Sequence, residues 1–551
     1  MRNWQNISRL EREGRPNRRR LPLFYLGIIY MTFLIALISI LSLTFLLRGS
    51  YRLLVPSGLA ISGDAVVHLI ITGGIRRNGH RIPDQFPEFL LGGPHNYPSF
   101  FHWLLSFLPR NTLEKWEPFI GTLIEMIHNA FIFVSATLLA FAQGSTNPIW
   151  VGFIASLIFA LTPLFIEHVG RVFLLSERPF GSFLGTVFVF FGLQYHISSD
   201  LRFLAGATVT AAVIFISSKF TVQAILFVSF IFSLLSWKAK LWLPIGGGLL
   251  LVTLISRGYA LRILAGHVRH SFFYHKFLLN KYLRPTSQYK EILTSFIKGI
   301  RYPSSLIQVF RTNCVLKLFS MVPWTMVLFA LVFREGVVTK SNPFLRVCLL
   351  WTISSVIVMG IISLKPMRFL GEPERYLEIS ILPLAFLTAY LLIQANSLFL
   401  WGLFFLITFY ASIVFFFLFA EASKLCLWDS DQEDVCRWLH EVEPSRILTI
   451  PVKAVCFLVY RTQHQGLSIL TNISEPSQQR RFRELCPILY PFPNANLEGL
   501  AKQYDLDFII AHKPTLNSLD RSELGIKYDF SRFQKRYENR SFVVYGVGLD
   551  L

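Results

Sequence analysis

Crossing a bilayer takes a helix of roughly 17–25 mainly apolar residues, and stretches of that kind recur through most of this chain. They lie at 23–47, 118–141, 148–166, 179–195, 203–217, 220–236, 241–256, 317–333, 346–363, 379–395 and 398–420. Hydrocarbon offers no water to backbone N–H and C=O groups, so each such stretch must satisfy them internally, as helix. Composition agrees: 53% of the 551 residues are hydrophobic and 53 are Phe, more apolar surface than a soluble fold of this size can hide. The expected fold is an α-helical polytopic membrane protein with about 11 transmembrane helices. The first stretch is too long for a signal-peptide core and lacks a small-residue cleavage site, so it is expected to remain as an anchor.

Charge orients the spans. Arg2, Arg9, Arg12, Arg15, Arg18, Arg19 and Arg20 crowd residues 1–22, and the positive-inside rule places that tail in the cytoplasm. Residues 23–423 then form the membrane domain, with a long first external loop at 48–117, and 424–551 a small extracytoplasmic α/β domain. Segments 167–178, 257–316 and 364–378 fall on the same outer side. Segment 257–316 is itself basic, which runs against the rule, but long loops escape it. The formal charge of +20 does not argue for nucleic acid, because most basic residues border apolar spans and can meet lipid headgroups. An arginine-rich start of this kind suits a bacterial plasma (inner) membrane. The six cysteines form no CxxC pair, so neither a zinc site nor a disulfide framework is indicated, although bridges Cys426–Cys436 and Cys456–Cys486 stay open.

Beyond residue 424 the pattern turns globular. Asp429–Glu443 reads as an N-capped amphipathic helix, and strands are expected at 446–450, 455–460, 506–511 and 541–547. No Walker loop, dinucleotide-binding glycine pattern, nucleophile elbow or HExxH occurs.

Ionisable residues beside lipid are costly and mark functional sites. On the outer side they include Asp64, His68, Asp84, Glu88, His102, Glu177, Arg178, Lys219, Arg368, Glu372, Glu374 and Arg375. Carboxylates, imidazoles and cations gathered at one mouth suit transfer from a phosphate-linked donor: a carboxylate takes the acceptor proton while Lys and Arg meet the charge on the leaving phosphate. His68 stands one helical turn from Asp64, where it can share a metal, orient a base, or act as an ordinary polar partner. Glu125 and His128, three apart on the second span, either face the same cavity or form a polar couple holding helices together. Arg262, Arg269, Lys276 and their neighbours alternate with Phe272, Phe273 and Phe277, as in a helix lying along the headgroup layer.

The order of one helix, an external loop opening on Gly-Asp, many helices and a terminal α/β domain resembles the GT-C superfamily, the membrane glycosyltransferases that use polyprenyl-phosphate sugars. Gly63-Asp64 stands where that family keeps its first-loop catalytic aspartate, Ser218-Lys219-Phe220 resembles its lysine-bearing external turn, and Arg171 to Pro179 resembles its external Arg and Glu-Pro turn. Arg368 to Tyr376 is similar to its Arg-Tyr loop. The resemblance implies Asp64 as general base of an inverting transfer, with His68 and Glu177 in the catalytic group. It assigns Lys219, Arg171, Arg368, Arg375, Tyr376 and His102 to the donor and its lipid phosphate. The partners implied are a polyprenyl-phosphate sugar donor, the bilayer and an extracytoplasmic glycan, lipid or protein acceptor. The family's usual Asp-Glu pair is Asp64-Ala65 here, so the second carboxylate must come from elsewhere, Glu88 or Glu177. No cofactor is required by the sequence, and a divalent metal is left open. The competing readings are a transporter or flippase of lipid-linked sugars, disfavoured by the lack of a clear internal repeat, and an inactive scaffold of the same fold.

Overall fold

The computed structural model describes residues 23–54, 63–167, 175–277, 315–334, 342–424, 430–470, 472–522 and 524–548, together with 291, 292, 294, 297 and 313. The basic tail at 1–22 lies outside them.

Each apolar stretch of the sequence holds helix. Among the described residues seven spans are long and apolar enough to cross a membrane: Gly27–Gly49, Arg110–Ala142, Arg178–Ser198, Lys219–Ser236, Pro343–Ile362, Pro373–Ala395 and Leu398–Ala420. Three shorter apolar helices, Pro148–Leu161, Leu201–Ser217 and Trp324–Arg334, pack among them, and Trp242–Ile255 meets Tyr259–Phe277 at a bend of 115°. This is a multi-pass membrane protein. Proline explains two shortenings: the expected spans 148–166 and 317–333 break at Pro163 and Pro323, where the ring removes an N–H and crowds the preceding turn. The bend follows Arg257 (φ 50°) and Gly258 (φ 85°), left-handed residues that end a helix. At Gly248 a Cβ would come within 2.8 Å of the Thr208 carbonyl oxygen and the Ala212 nitrogen. Two short helices can therefore touch backbone to backbone there, as small residues permit in membranes.

The C-terminal segment builds a five-stranded sheet ordered β2-β1-β3-β5-β4, from β1 Arg446–Ile450, β2 Gln465–Gly466, β3 Phe508–His512, β4 Gln534–Glu538 and β5 Phe542–Gly546. β1 runs parallel to β2 and β3, while β5 is antiparallel to β3 and β4. Ile510 faces one core, while Ile509 and Ala511 face the other, as the two-residue strand period requires. The first of these cores is shared with the first loop. Val66, Ile70, Ile71 and Ile75 of helix Gly63–Arg77 pack with Val435, Leu439 and Val455–Val459. Backbone bonds extend the junction, with Gly466 N–H donating to the Glu88 carbonyl at 2.8 Å and Leu90 N–H to that of Gly466 at 3.0 Å.

Several sequence expectations change. Residues 455–460 are helix (Val455–Arg461), not strand. A continuous apolar run carries no period, and this one is buried from several sides at once. β4 was not foreseen, because its QKRYE sequence is exposed and held only through β5. The first loop is shorter than 48–117, since the flanking helices reach Leu54 and start at Arg110. Cys456 and Cys486 belong to separate cores.

Phe457, 3% exposed in the shared core, tests this junction: Phe457→Ala should cost about 3–5 kcal/mol. Limited proteolysis should then cut not only the C-terminal domain but also the first loop. Faster cleavage of the domain with a first loop as resistant as before would show that the two do not share a core.

Candidate functional site

Three elements bring one polar cluster together. Helix Gly63–Arg77 carries His68, helix Phe100–Ser106 carries His102, and Glu177 stands at the N-cap of Arg178–Ser198. The Glu177 carboxylate makes no capping bond, yet the positive end of the helix dipole favours an anion there. His68 Nδ1 and His102 Nε2 are 2.7 Å apart, and His68 Nε2 lies 3.1 Å from Glu177 Oε2. Tyr97 Oη–H donates to the other Glu177 oxygen, and Tyr259 Oη–H donates to the Tyr97 carbonyl at 2.8 Å. Burial, reinforced by neighbouring His68 and His95, holds the His102 imidazole well below its usual pKa, so it stays neutral.

Ligand atoms of His68, His102 and Glu177 all lie within 4.8 Å of one another. Two imidazoles and a carboxylate suit a Zn²⁺-type ion with one position left open. Their chemistry and closeness fit a divalent metal.

Glu177 also faces a cavity of about 230 Å³, whose lining includes Tyr97, Arg178, Lys219, Arg375, Glu378 and Asn472. Lys219 opens helix Lys219–Ser236, capped by Ser218, whose side chain accepts from Thr221 N–H. Arg375 lies over the Phe220 ring, 4.4 Å from its centroid, and pairs with Glu372. The loop carrying Arg375 and the turn carrying Lys219 touch at Gly371, where a Cβ would meet the Phe220 ring at 2.5 Å; its φ of 107° also favours glycine.

Of the residues expected from sequence, His68, His102 and Glu177 form the cluster, and Lys219 and Arg375 line the adjoining cavity. Asp64 is the second residue of helix Gly63–Arg77, four before His68, and its side chain lies outside the described residues. Arg171 lies outside them altogether. Tyr376 is fully buried and bonds the Leu370 carbonyl, a packing position rather than a cavity wall. Arg368 sits on the 3₁₀ turn Lys365–Leu370, not among the lining residues. Glu88 pairs with Arg77 and is not one of the three clustered groups. Glu125 and His128 are fully buried, and His128 bonds Thr186 at 2.8 Å across to the next long helix, the helix-holding role expected. Sequence reasoning missed Asn472 and Glu378. Glu378 had a local signal in its spacing of three from Arg375, whereas nothing near Asn472 in the chain points to the cavity.

No family model matches the sequence, and no curated protein matches it. Solved structures do resemble the fold. The oligosaccharyltransferase AglB of Archaeoglobus fulgidus, in complex with an inhibitory peptide and a dolichol-phosphate, matches with TM-score 0.54 and 12% identity over 87% of this chain and 69% of that one. The Archaeoglobus oligosaccharyltransferase in complex with Zn and sulfate gives 0.57 and 12% over 94% and 74%. ArnT of Cupriavidus metallidurans bound to undecaprenyl phosphate gives 0.51 and 11% over 95% and 98%. At such identities the likeness is one of fold, and the fold is GT-C.

The cluster makes a direct prediction. Purified protein should take up Zn²⁺, and His102→Ala should weaken uptake roughly tenfold or more, by metal analysis after equilibrium dialysis. Uptake should also fall with pH, because the ligands must be deprotonated to bind. Equal uptake by the variant would remove His102 from the metal set.

Proposed function

We propose that this chain is a membrane glycosyltransferase moving a sugar from a polyprenyl-phosphate donor to an acceptor hydroxyl on the outer side of the plasma membrane. The N-terminal tail is then cytoplasmic and the C-terminal α/β domain extracytoplasmic. One observation carries the reading: Lys219, Arg178 and Arg375 converge with Glu177 on a single cavity in a fold shared with structures that hold dolichol-phosphate and undecaprenyl phosphate. A compact ammonium and forked guanidinium groups favour phosphate oxygens.

In this reading the Asp64 carboxylate takes the acceptor's hydroxyl proton as that oxygen attacks the anomeric carbon. The new carbon–oxygen bond forms on the face opposite the phosphate, the old bond breaks with its electrons going to the phosphate oxygen, and the configuration inverts. Lys219, Arg178 and Arg375 meet the charge that develops on the leaving lipid phosphate. Arg171 and Arg368 act as further cations for the donor's lipid phosphate. His68 and Tyr97 fix Glu177 from two sides, which orients that wall of the cavity. A divalent metal held by His68, His102 and Glu177 would supply Lewis-acid charge.

Sugar transfer in membranes supplied with native lipid extract tests the proposal. Asp64→Asn should cut transfer by 10²–10⁴-fold, an order of magnitude typical of a lost general base, while binding of undecaprenyl phosphate stays near wild type. Arg375→Gln should instead weaken that binding by about tenfold. Unchanged transfer in Asp64→Asn would remove the base, lipid translocation without a glycosidic product would indicate a flippase, and binding without any turnover a scaffold.

A further inference from the structure

Helix Trp242–Ile255 leaves Leu250, Leu254 and Ile255 exposed, between 62% and 74%, an apolar flank of the kind lipid covers. At its end the chain bends by 115°, so helix Tyr259–Phe273 turns away from the axis of the helix before it. Its outer face continues the apolar surface through Leu261, Val268 and Phe272, which are 48%, 44% and 64% exposed. Arg262, Arg269 and Lys276 recur every seven residues beside that stripe, the pattern of a helix lying in the headgroup layer.

The C-terminal domain turns this surface into a site. Its helix Pro476–Leu485 faces the interfacial helix across a cavity of about 700 Å³ lined by Phe272, Phe273, Lys276, Phe277, Glu475 and Arg483, among others. Charge is unevenly settled there. Arg262 is paired with Asp84 and Arg269 with Glu475, each at 3.0 Å. Among the described residues Lys276 and Arg483 have no carboxylate partner, and Arg483 lies over the Phe273 and Phe277 rings at 6.0 and 5.9 Å. Two cations therefore overlook an aromatic floor that is continuous with a lipid-facing helix.

We infer that this cavity binds the phosphate headgroup of an anionic phospholipid of the surrounding membrane, with its acyl chains running along Phe272 and Val268 into the bilayer. The charge complementarity and the continuity of the apolar face select a membrane lipid over a soluble anion. The site does not depend on the transferase reading. It ties the soluble domain to the membrane.

The test is native mass spectrometry of the full protein in neutral detergent, titrated with phosphatidylglycerol or phosphatidylcholine. Wild type should retain phosphatidylglycerol in preference, and Lys276→Ala/Arg483→Ala should lose about tenfold of that preference, as expected for two basic residues near anionic lipid. Lys276→Gln alone, at an exposed position, secures the result should the double variant misfold, with an expected loss of about threefold. Phe272→Ser should weaken both lipids alike, and millimolar inorganic phosphate should not displace phosphatidylglycerol. Equal retention of the two lipids by wild type, an unchanged preference in the charge variants, or displacement by inorganic phosphate would each overturn the inference.

Discussion

Helix Gly63–Arg77 is gripped from two sides, and the rest of the site depends on that grip. Val66, Ile70 and Ile71 are buried in the core of the C-terminal domain, while Ala65 and Leu69 are buried in the core of the membrane bundle. Apolar burial is non-directional and cumulative, so a short helix with two apolar faces can be held without many polar contacts. His68 lies between those faces. Its imidazole therefore reaches Glu177 from a fixed backbone, and the first loop, which in sequence looks like a long external excursion, acts as a rigid wall.

Glu177 is where the first loop and the membrane bundle meet. One oxygen accepts from Tyr97, and the other lies 3.1 Å from His68. Both partners belong to the first loop, whereas Glu177 belongs to a long membrane helix. A half-buried carboxylate is costly to desolvate unless its charge is answered, and here a hydroxyl, an imidazole and the positive end of a helix answer it. The same carboxylate borders the cavity of Lys219 and Arg375. Polar groups that the first loop, the bundle and the Arg-Tyr loop each supply are thus brought to one point by packing elsewhere.

How much of this the sequence disclosed follows from the range of the forces involved. The helical spans were legible because hydrocarbon leaves a backbone one way to close its hydrogen bonds. Their ends were less so: the polar start Arg110–Glu117 is helical despite its hydropathy, and Pro163 and Pro323 cut spans that composition had joined. Val455–Arg461 was misread because an apolar run buried on several sides has no alternation to betray its type. His68, Glu177, Lys219 and Arg375 could be picked out as ionisable groups that lipid would not tolerate. That His102 would stack on His68 across an interval of 34 residues, or that Asn472 would reach the cavity from the far domain, is decided by tertiary contact and leaves no local trace.

Asn472 shows what the domain is doing there. Its amide donates to the Asn96 carbonyl at 2.8 Å, Asn96 in turn donates to Ser474, and the Ile473 N–H donates to His270 at 3.1 Å. A loop of three residues therefore bonds to the first loop and to helix Tyr259–Phe273 together, with Asn472 on one cavity and Ser474 on the other. Two residues of extended chain span at most about 7 Å, so the cavities are near neighbours separated by a single strand of backbone. Domains joined only by polar contacts are expected to move relative to one another. Here the apolar core with helix Gly63–Arg77 lies behind the polar loop, so swinging the domain open would expose Val66, Ile70 and Ile71 to water. The C-terminal domain accordingly forms part of the wall of the site, held there by the apolar core it shares with helix Gly63–Arg77.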